Sequence, residues 1–515
     1  MKNKLRNITL VTLAALTLGS CDEQKLTDLN INKNAPTTID MSFLLAYGQL
    51  RVAGSRYESW RTNLIYSSTM IQHNASLQGY WSGDKYYYSS QYSGAYWESH
   101  YPNPIKNLTE VVDKTAGDPA LANIHAAAQI MRAFDLHRMT DIYGDVPYTQ
   151  AGRGLVGQEN WFPSYDKQSE IYQYLITDIR AARDEFSESA NALGEQDVLF
   201  KGDLTKWRKF ANALLMRIAM RMSNVDETGA KAVFTEALAS GAIDDTNSNA
   251  FLAQSLGNGG DTNYNGTSLV YSNAAGGGGD NNGRISKTFL DWMDANNDPR
   301  KMIIVGGTGN PYDPSTWNTD PAAQKGLPNG YTSTTIKNIV PDFVSYNEYS
   351  FPNPAILDLD DPTPFISHAE VELMKAEAVL KGWISGSAEE FFNKGVRAAM
   401  DSWSLFGVAT PSAAEVDAYI EGLGFATASN KLKLIGEQYW AATYLNHIEA
   451  WCNYRRSGYP ELVPTSDPNN VTGGTIPRRL RYYEDEAGSN PASYAAAVAS
   501  QGPDLMTTRI WWDKK

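Results

Sequence analysis

Cys21 carries a thiol whose sequence context predicts a covalent lipid modification. Three basic residues lie within the first six positions, an apolar stretch follows over residues 8–18, and the small residues Gly19 and Ser20 precede the cysteine. This order is typical of a lipoprotein signal peptide, after whose cleavage the Cys21 thiol carries a diacylglycerol group and its freed amine a further acyl chain. Outside residues 8–18 no apolar run approaches the roughly 20 residues that cross a bilayer. The sequence therefore predicts a protein that its lipid anchors to a membrane.

A cluster of tyrosines and tryptophans offers a second chemistry, the non-covalent binding of a ligand by aromatic faces. Residues 57–101 hold 12 of the 42 Trp and Tyr residues of the chain, and around Tyr80 and Trp81 the flanking residues are polar and rich in glycine. Aromatic faces with a polar rim can desolvate sugar rings or peptide side chains and orient them. We therefore predict that Tyr80, Trp81, Asp84 and Tyr86 bind ligand, and that the Tyr80 and Trp81 rings are at least partly exposed. The alternative is that most rings of this cluster pack between helices.

A stretch rich in glycine and asparagine supplies more aromatic residues. Residues 255–350 contain 14 of the 41 glycines and 13 asparagines. Such backbone freedom disfavours long helices, so we expect an irregular excursion that packs on a helical body. We predict that this excursion forms the opposite wall of the ligand pocket through Tyr264, Tyr312, Trp317 and Tyr331.

Motifs of the common enzyme classes do not emerge from the sequence. It has no Gly-Lys dipeptide for a phosphate-binding loop and no Gly-x-Ser-x-Gly or His-Glu-x-x-His motif. Residues 152–157 spell a dinucleotide fingerprint, but they follow a helix and Pro147 rather than a strand. His125 and His137 share a predicted helix and lie about 120° apart around its axis, so they cannot hold one metal together. We predict no catalytic residue, no metal site and no cofactor.

The acidic charge of the chain excludes nucleic acid as a partner. Removal of residues 1–20 reduces the 44 basic residues to 41, against 58 acidic ones, which gives a net charge of −17. Nucleic acids are bound by basic surfaces, and anionic lipid head groups repel an acidic body. Membrane attachment is therefore predicted to rest on the lipid at Cys21. After acylation only Cys452 remains free, so no intrachain disulfide is expected.

Helices with capping signals must position these residues. Three Ser-x-x-Glu capping boxes begin at Ser367, Ser387 and Ser412, and Asp118 precedes a proline at the first helical position. We predict helices over approximately 119–141, 166–187, 203–223, 367–383, 387–402 and 430–457.

The helix pair at residues 367–402 has a repeat signature. Ala376, Ala388 and Phe392 have the spacing of small and aromatic positions in a tetratricopeptide-type hairpin. An ordinary antiparallel helix pair is the alternative.

Several longer strings, in their order along the chain, resemble SusD/RagB-type outer-membrane lipoproteins. They are residues 133–148, which end in Tyr-Gly-Asp-Val-Pro-Tyr, and residues 297–300, 375–378, 449–460, 476–484 and 511–513. The resemblance implies an all-α fold of helical hairpins of tetratricopeptide-repeat type, with long irregular loop excursions packed on the scaffold. The expected organisation is a lipoprotein signal peptide at 1–20, a lipidated tether at 21–41 and a ligand-binding body at 42–515.

The same resemblance implies a function and a partner. Such a lipoprotein is lipid-anchored in the outer membrane, faces the cell exterior, and binds oligosaccharide or peptide nutrients without transforming them. It delivers them to a SusC-like, TonB-dependent transporter, over which it sits as a lid. The family's ligand residues lie in variable loops, so none can be carried over to this chain.

Two function classes remain open at this point. The alternative to a nutrient-binding lipoprotein is a surface glycoside hydrolase or lyase on an α-helical toroid, which the same aromatic residues and carboxylates could serve. Oligosaccharide and peptide ligands are not separated by the sequence.

The lipid anchor yields the first testable prediction. We expect Cys21→Ala to release the protein from the membrane fraction, because nothing else in the sequence is apolar or basic enough to hold it there. Cell fractionation followed by immunoblotting measures the release. A variant that stays membrane-bound in cells lacking the predicted transporter contradicts the prediction.

Overall fold

The computed structural model describes residues 39–256, 264–272 and 282–514. The predicted lipidation site at Cys21, the predicted signal peptide and most of the predicted tether lie outside the described residues. Residues from Met41 onwards form one unit. No helix among the described residues is both long enough and apolar enough to span a membrane.

Helices account for most of the regular structure. In the described part of the chain, the α-helices of nine or more residues are α1 (Met41–Ala53), α2 (Ser90–His100), α3 (Lys106–Thr115), α4 (Ala122–Tyr143), α5 (Gln168–Glu185), α6 (Leu204–Met222), α7 (Glu227–Ala239), α8 (Lys287–Ala295), α9 (His368–Leu380), α10 (Ala388–Asp401), α11 (Ala413–Leu423), α12 (Lys431–Ala442), α13 (His447–Ser457) and α14 (Pro491–Gln501). Two π-helices, Ser59–Ser68 and Tyr101–Ile105, precede and follow α2, and the short helices are Arg56–Glu58, Gly266–Tyr271, Lys301–Ile304 and Glu486–Ser489.

Strands are short and pair only in twos. They are β1 (Asn74–Ala75), β2 (Ala250–Leu252), β3 (Arg284–Ile285), β4 (Val305–Gly307), β5 (Phe351–Pro352) and β6 (Thr363–Ile366). The antiparallel pairs are β1 with β3, β2 with β6, and β4 with β5. Because helix forms 56% of the structure and strand 5%, the predicted all-α class is confirmed.

Consecutive helices pack as hairpins, as the sequence predicted. The closest pairs are α4 with α5, α6 with α7, and α9 with α10. In the last pair, Ala376 and Phe392 are fully buried. A β-carbon placed on Gly395 of α10 would lie 2.8 Å from Cγ of Leu373 on α9, so this position needs glycine for the helices to approach so closely.

The predicted capping signals are present with one difference. Ser367 and Ser412 both form complete capping boxes with the glutamate three residues on. Ser387 accepts a hydrogen bond from the Glu390 amide at 3.2 Å, but no reciprocal bond from the Glu390 side chain completes the box.

The helix predicted over 430–457 is wrong as a single element. It is divided into α12 and α13, because the backbone leaves the helical conformation at residues 443–446 and Leu445 adopts a positive φ of 75°. Thr443 Oγ1 lies within hydrogen-bond distance of two carbonyl groups of α12. The break turns His447 towards His73, a contact that a continuous helix of this sequence would not make.

A buried network of charges joins the helices at the centre of the core. Arg217 on α6 contacts Glu370 of α9 at 2.6 Å, and Arg221, one turn later, contacts Glu449 of α13 at 2.6 Å. The hydroxyl oxygen of Tyr439 on α12 lies 2.8 Å from both carboxylates. Burial disfavours ionisation of Glu449, but the two arginines outweigh it and hold the pKa of its carboxyl below the usual value.

Asp141 at the end of α4 extends this network to the carboxyl terminus. Its carboxylate accepts hydrogen bonds from Arg221 at 3.1 Å, from the Tyr172 hydroxyl of α5 at 2.5 Å and from the Trp512 indole at 2.8 Å. All of these side chains are buried. Five helices and the last residues of the chain are therefore tied to the two arginines of α6.

Two histidines form a separate buried pair. Nδ1 of His73 lies 2.9 Å from Nδ1 of His447, and Nε2 of His73 lies 3.0 Å from the carbonyl oxygen of Trp440. Since one ring must donate and the other accept, the pair is held by neutral imidazoles. Burial lowers the pKa of His447 to about 3 and also lowers that of His73.

The charge network predicts a large loss of stability when one carboxylate is removed. We expect Glu449→Ala to reduce the free energy of unfolding by about 3–5 kcal/mol, because two buried guanidinium groups lose a partner. Asp417→Ala is the control, since the Asp417–Arg397 pair is exposed and such pairs contribute less than about 1 kcal/mol. Urea unfolding followed by circular dichroism measures both changes. Equal losses in the two variants would contradict the prediction.

The histidine pair predicts a pH dependence of stability. The pKa of His447 is lowered in the fold, so its contribution is full above the unfolded pKa of about 6.5 and decreases as the pH falls towards 3. We expect His447→Gln to reduce the slope of unfolding free energy against pH between 5 and 6.5 by roughly 1 kcal/mol per pH unit. Urea titrations at several pH values test this, and parallel curves for the two proteins would refute it.

Candidate functional site

Tyr80 is the exposed member of a group of aromatic rings whose other members are half-buried. Its side chain is 38% exposed, and its ring meets Trp60 edge to face at 6.1 Å between centroids. Trp60 in turn lies 6.1 Å from Tyr92. The guanidinium group of Arg61 lies over Tyr57 at 3.9 Å and near Trp60 at 5.0 Å, which fixes these rings by cation–π contacts. We call these four rings, Tyr57, Trp60, Tyr80 and Tyr92, the aromatic surface.

Amide side chains form a polar rim at the Tyr80 end of this surface. The side-chain amide of Asn282 donates a hydrogen bond to the Tyr80 hydroxyl at 2.8 Å, and that of Gln78 donates one to Oδ1 of Asn282 at 3.2 Å. Amides and hydroxyls both donate and accept hydrogen bonds, so the rim has the chemistry to bind the polar edge of a ligand whose face the rings desolvate.

A cavity of about 200 Å³ adjoins the rim at Gly283. The residues that line it include Tyr271, Ser272, Pro311, Tyr312 and Phe351. Pockets for drug-sized ligands measure roughly 300–1,000 Å³, so this cavity fits a single ring or substituent of a longer ligand. Tyr80 is therefore bonded to Asn282, and Tyr312 lines the cavity together with the next residue, Gly283.

Trp81 does not lie where the sequence predicted. Its side chain is fully buried, packs with Leu64, Ile65 and Val270, and reaches beneath Gly283. The prediction of an exposed Trp81 ring is therefore wrong. The physical reason is Gly83: a β-carbon there would lie 2.4 Å from the Ile65 carbonyl oxygen, so this glycine brings its loop against the π-helix rather than into solvent.

Asp84 and Tyr86, which were also predicted to bind ligand, are buried as well. Asp84 forms an ion pair with Lys85 at 2.6 Å, and its other carboxylate oxygen accepts the Gly330 amide at 3.2 Å. Burial raises the pKa of Asp84, although Lys85 opposes the shift. Burial likewise raises the pKa of Tyr86. The Asp84 side chain holds the loop against the excursion at Gly330, and neither side chain offers a surface to a ligand in this conformation.

Three further predicted residues are half-buried and lie apart from the rim. The Trp317 ring packs against Phe351 at 5.2 Å and its indole donates to the Asn310 carbonyl at 2.7 Å, so it supports the segment that carries Tyr312. Tyr331 packs against a small apolar cluster around Leu77. Tyr264 directly precedes the short helix Gly266–Tyr271. Their role in binding stays a prediction.

Of the residues that form this site, the sequence prediction named Tyr80 and Tyr312. Tyr271, Asn282 and Phe351 were not predicted, because the excursion has no periodic pattern that indicates which of its residues share a face. The one available signal was composition, since Asn282 and Gly283 lie in the stretch rich in glycine and asparagine.

Acidic groups near the cavity are few. Asp358 lines the cavity, and its amide donates to the Asp361 carboxylate at 2.7 Å. Burial raises the pKa of Asp361 to about 6. Within residues 39–256, 264–272 and 282–514, no group of three or more His, Cys, Asp or Glu side chains could hold a metal ion.

The burial of Trp81 predicts that its mutation affects stability. We expect Trp81→Ala to reduce the free energy of unfolding by about 3–5 kcal/mol, because a large core side chain is removed. Tyr80→Ala should change it by less than about 1 kcal/mol, since that ring is partly exposed. Chemical denaturation measures both variants. A Trp81→Ala protein as stable as Tyr80→Ala would show that the ring is not core.

The chain is similar to known proteins in both sequence and structure. A family model described as "Starch-binding associating with outer membrane", SusD-like, matches residues 33–483. A solved chitin-binding protein is 31% identical, with 92% of this chain and 100% of that chain covered and a TM-score of 0.80. A SusD-like protein of Bacteroidetes is 26% identical, with 93% and 100% covered and a TM-score of 0.81.

A more distant structure supports the fold alone. The chitin-binding SusD homologue from Flavobacterium johnsoniae is 22% identical, covers 92% of this chain and 98% of its own, and has a TM-score of 0.76. No curated protein sequence matches the chain. The family model covers most of the sequence, and the chain therefore belongs to the SusD-like family, as the resemblance of its motifs predicted.

Proposed function

We propose that this protein is a cell-surface lipoprotein that binds oligosaccharide nutrients at the aromatic surface and the adjoining cavity. The observation that carries the proposal is the pairing of the half-buried Trp60 ring and the exposed Tyr80 ring with the amide rim at Asn282. Sugar rings have flat apolar faces and hydroxyl edges, and this surface offers a complement to each. Membership of a family described as starch-binding supports a glycan over a peptide.

Chitin-type oligosaccharides are the first ligand class to test. The relative at 31% identity is a chitin-binding protein, and its whole length is covered by the match. An N-acetyl substituent carries an apolar methyl group and an amide, and the 200 Å³ cavity beside Tyr312 has the size and walls for such a group. In the proposed arrangement one sugar stacks on Trp60 or Tyr80, and the acetamido group of a neighbouring sugar enters the cavity.

Delivery to a transporter is part of the same proposal. The family description associates its members with the outer membrane. The proposed organisation is a signal peptide at 1–20, a lipidated tether at 21–41 that begins at Cys21, and the binding body at 42–515. The body then holds oligosaccharide on the outer surface and transfers it to a SusC-like, TonB-dependent transporter.

A glycoside hydrolase is the second candidate, and one observation bears on it. Asp358 lines the cavity, and Asp361, whose pKa is raised to about 6 by burial, lies three residues later in the chain. Glycosidases use two carboxylic groups that flank the scissile bond about 5–10 Å apart. Asp361 is instead buried, and its carboxylate accepts a hydrogen bond from the backbone amide of Asp358. It therefore has no access to a glycosidic bond of a ligand in the cavity.

Binding without turnover is the expected outcome. We expect isothermal titration with chitohexaose to show binding that the Trp60→Ala, Tyr80→Ala double variant weakens at least roughly tenfold, as the loss of stacking aromatics does. Phe162→Ala, which removes an exposed aromatic elsewhere on the body, is the matched control and should bind normally. Maltohexaose and a hexapeptide test the competing ligand classes.

The enzyme alternative is tested in the same samples. Chromatography of chitohexaose after prolonged incubation should recover it intact. Shortened products that disappear with Asp358→Asn would move the protein into the hydrolase class, and tight binding of the hexapeptide alone would refute the glycan assignment.

A further inference from the structure

A buried histidine at the end of α2 lies between two carboxylates. Nδ1 of His100 is 2.7 Å from Oδ1 of Asp135 on α4, and Nε2 of His100 is 3.7 Å from Oε1 of Glu58 in the short helix Arg56–Glu58. All three side chains are buried. Charges removed from water need partners of opposite sign, so the protonated form of His100 is the one that matches both carboxylates.

Hydrogen bonds from neighbouring residues hold each carboxylate in place. Glu58 accepts bonds from the amide and the hydroxyl of Ser55, with which it forms a capping box. Asp135 accepts a bond from the Tyr96 hydroxyl at 2.7 Å, and the Tyr96 ring stacks on the imidazole at 3.7 Å between centroids. None of these donors carries a charge, so the positive charge between the two carboxylates comes from His100.

The charges shift the pKa values of His100 and Glu58 in the directions that keep both ionised. Burial disfavours the imidazolium, but Asp135 and Glu58 outweigh it and raise the pKa of His100 above its usual value. Burial also disfavours ionisation of Glu58, but His100 outweighs it and lowers the pKa of that carboxyl to about 2. At neutral pH the two side chains therefore form a charged pair.

Loss of the His100 proton turns its contact with Glu58 from attraction into repulsion. A neutral imidazole has one N–H donor and one lone pair. Because Nδ1 donates to Asp135 at 2.7 Å, the lone pair of Nε2 then faces the Glu58 carboxylate. His100 and Glu58 also line a cavity of about 40 Å³. The Glu58 side chain is not closely packed on that side, so it has room to move away.

The other charged residue that lines this cavity is Arg138 of α4. Its guanidinium group lies over the Phe134 ring at 4.5 Å and donates a hydrogen bond to Asn446 at 3.3 Å. Arginine stays protonated in proteins, and burial raises the pKa of Tyr96 further above the neutral range. Between neutral pH and about pH 9.5, His100 is therefore the group whose charge changes among the ionisable side chains around it in the described part of the chain: Glu58, Asp135, Tyr96 and Arg138.

Glu58 connects this cluster to three rings of the aromatic surface. It directly follows Tyr57 and lies two residues before Trp60. The Ser99 hydroxyl of α2 donates a hydrogen bond to the Glu58 carboxylate at 2.9 Å, and α2 also carries Tyr92. The contact between the short helix and α2 therefore fixes Tyr57 and Trp60 relative to Tyr92.

The same cluster supports one wall of the 200 Å³ cavity. A β-carbon on Gly266 would lie 2.9 Å from the Ser55 backbone, so the helix Gly266–Tyr271 rests directly on the cap of the short helix. Tyr271, at the end of that helix, lines the 200 Å³ cavity. A movement of Glu58 and of its cap at Ser55 therefore affects both parts of the candidate site.

We propose that His100 is a positioning residue for ligand binding, whose imidazolium holds Glu58 and thereby keeps the rings of the aromatic surface in their binding arrangement. The ligand and its site rest on the proposed function. Affinity is full while His100 is protonated and decreases as the proton is lost. Because the pKa of His100 is raised, this loss occurs above neutral pH.

Calorimetric titration of the full chain with chitohexaose between pH 7 and 9.5 tests the role of His100. Chitohexaose has no ionisable group, and Asp361, with a pKa of about 6, is largely ionised throughout this range. We expect the affinity of the wild type to fall at least roughly fivefold across the range. His100→Gln should bind weakly at every pH without this decrease. His125→Gln, which removes a half-buried histidine paired with Glu185, is the matched control and should follow the wild type.

A second measurement separates positioning of the site from support of the fold. Binding and protonation are linked reciprocally, so chitohexaose must raise the pKa of His100 by the same factor by which protonation raises the affinity. NMR titration of the His100 ring in the wild type, with and without chitohexaose, measures this change and does not depend on the folding of a variant. Melting temperatures at each pH show whether the protein is folded where affinity is compared.

Three results overturn the positioning role and leave the proposed function intact. They are a wild-type affinity that stays constant between pH 7 and 9.5, a decrease that persists in His100→Gln, and a pKa of His100 that chitohexaose does not change. Absence of chitohexaose binding at every pH overturns the proposed chitin-type ligand, and the role of His100 with it.

Discussion

The fold depends on the two buried arginines of α6, because a guanidinium group removed from water must be matched by charge and hydrogen bonds. Arg217 and Arg221 lie one turn apart and require carboxylates from α4, α9 and α13 at fixed positions. Apolar packing alone tolerates small shifts between helices, but a charge pair at 2.6 Å does not. The network therefore sets the register in which the hairpins meet, and it ties the last residues of the chain to them through Trp512.

This fixed frame leaves the irregular segments free to carry recognition. The rings of the aromatic surface lie on the short helix Arg56–Glu58, the π-helix Ser59–Ser68, the glycine-flanked loop at Tyr80 and α2, and none of them lies in the hairpins α4–α5, α6–α7 or α9–α10. Binding residues are commonly placed on loops that a rigid scaffold positions. Here the scaffold acts through buried supports: Trp81 lies beneath Gly283, and the Asp84–Lys85 pair holds the Gly330 loop. The side chains of Trp81, Asp84 and Lys85 are aromatic or polar, as those of ligand-binding residues are, but here they support the rim from below.

The sequence by itself determined the helices, their caps and the family, because those signals are local: Ser367 and Glu370 meet within one turn, and the Ala376, Ala388 and Phe392 spacing lies within one hairpin. It also indicated the aromatic segment and the excursion, through composition. Only the tertiary structure decided which rings are exposed, since the burial of Trp81 depends on whether Gly83 meets the Ile65 carbonyl. The division between α12 and α13 likewise goes together with a tertiary contact, that of His447 with His73, 374 positions away. Tyr80, Asn282 and Tyr312 form one site for the same reason: long-range packing brings together residues whose separation in the chain leaves no local trace.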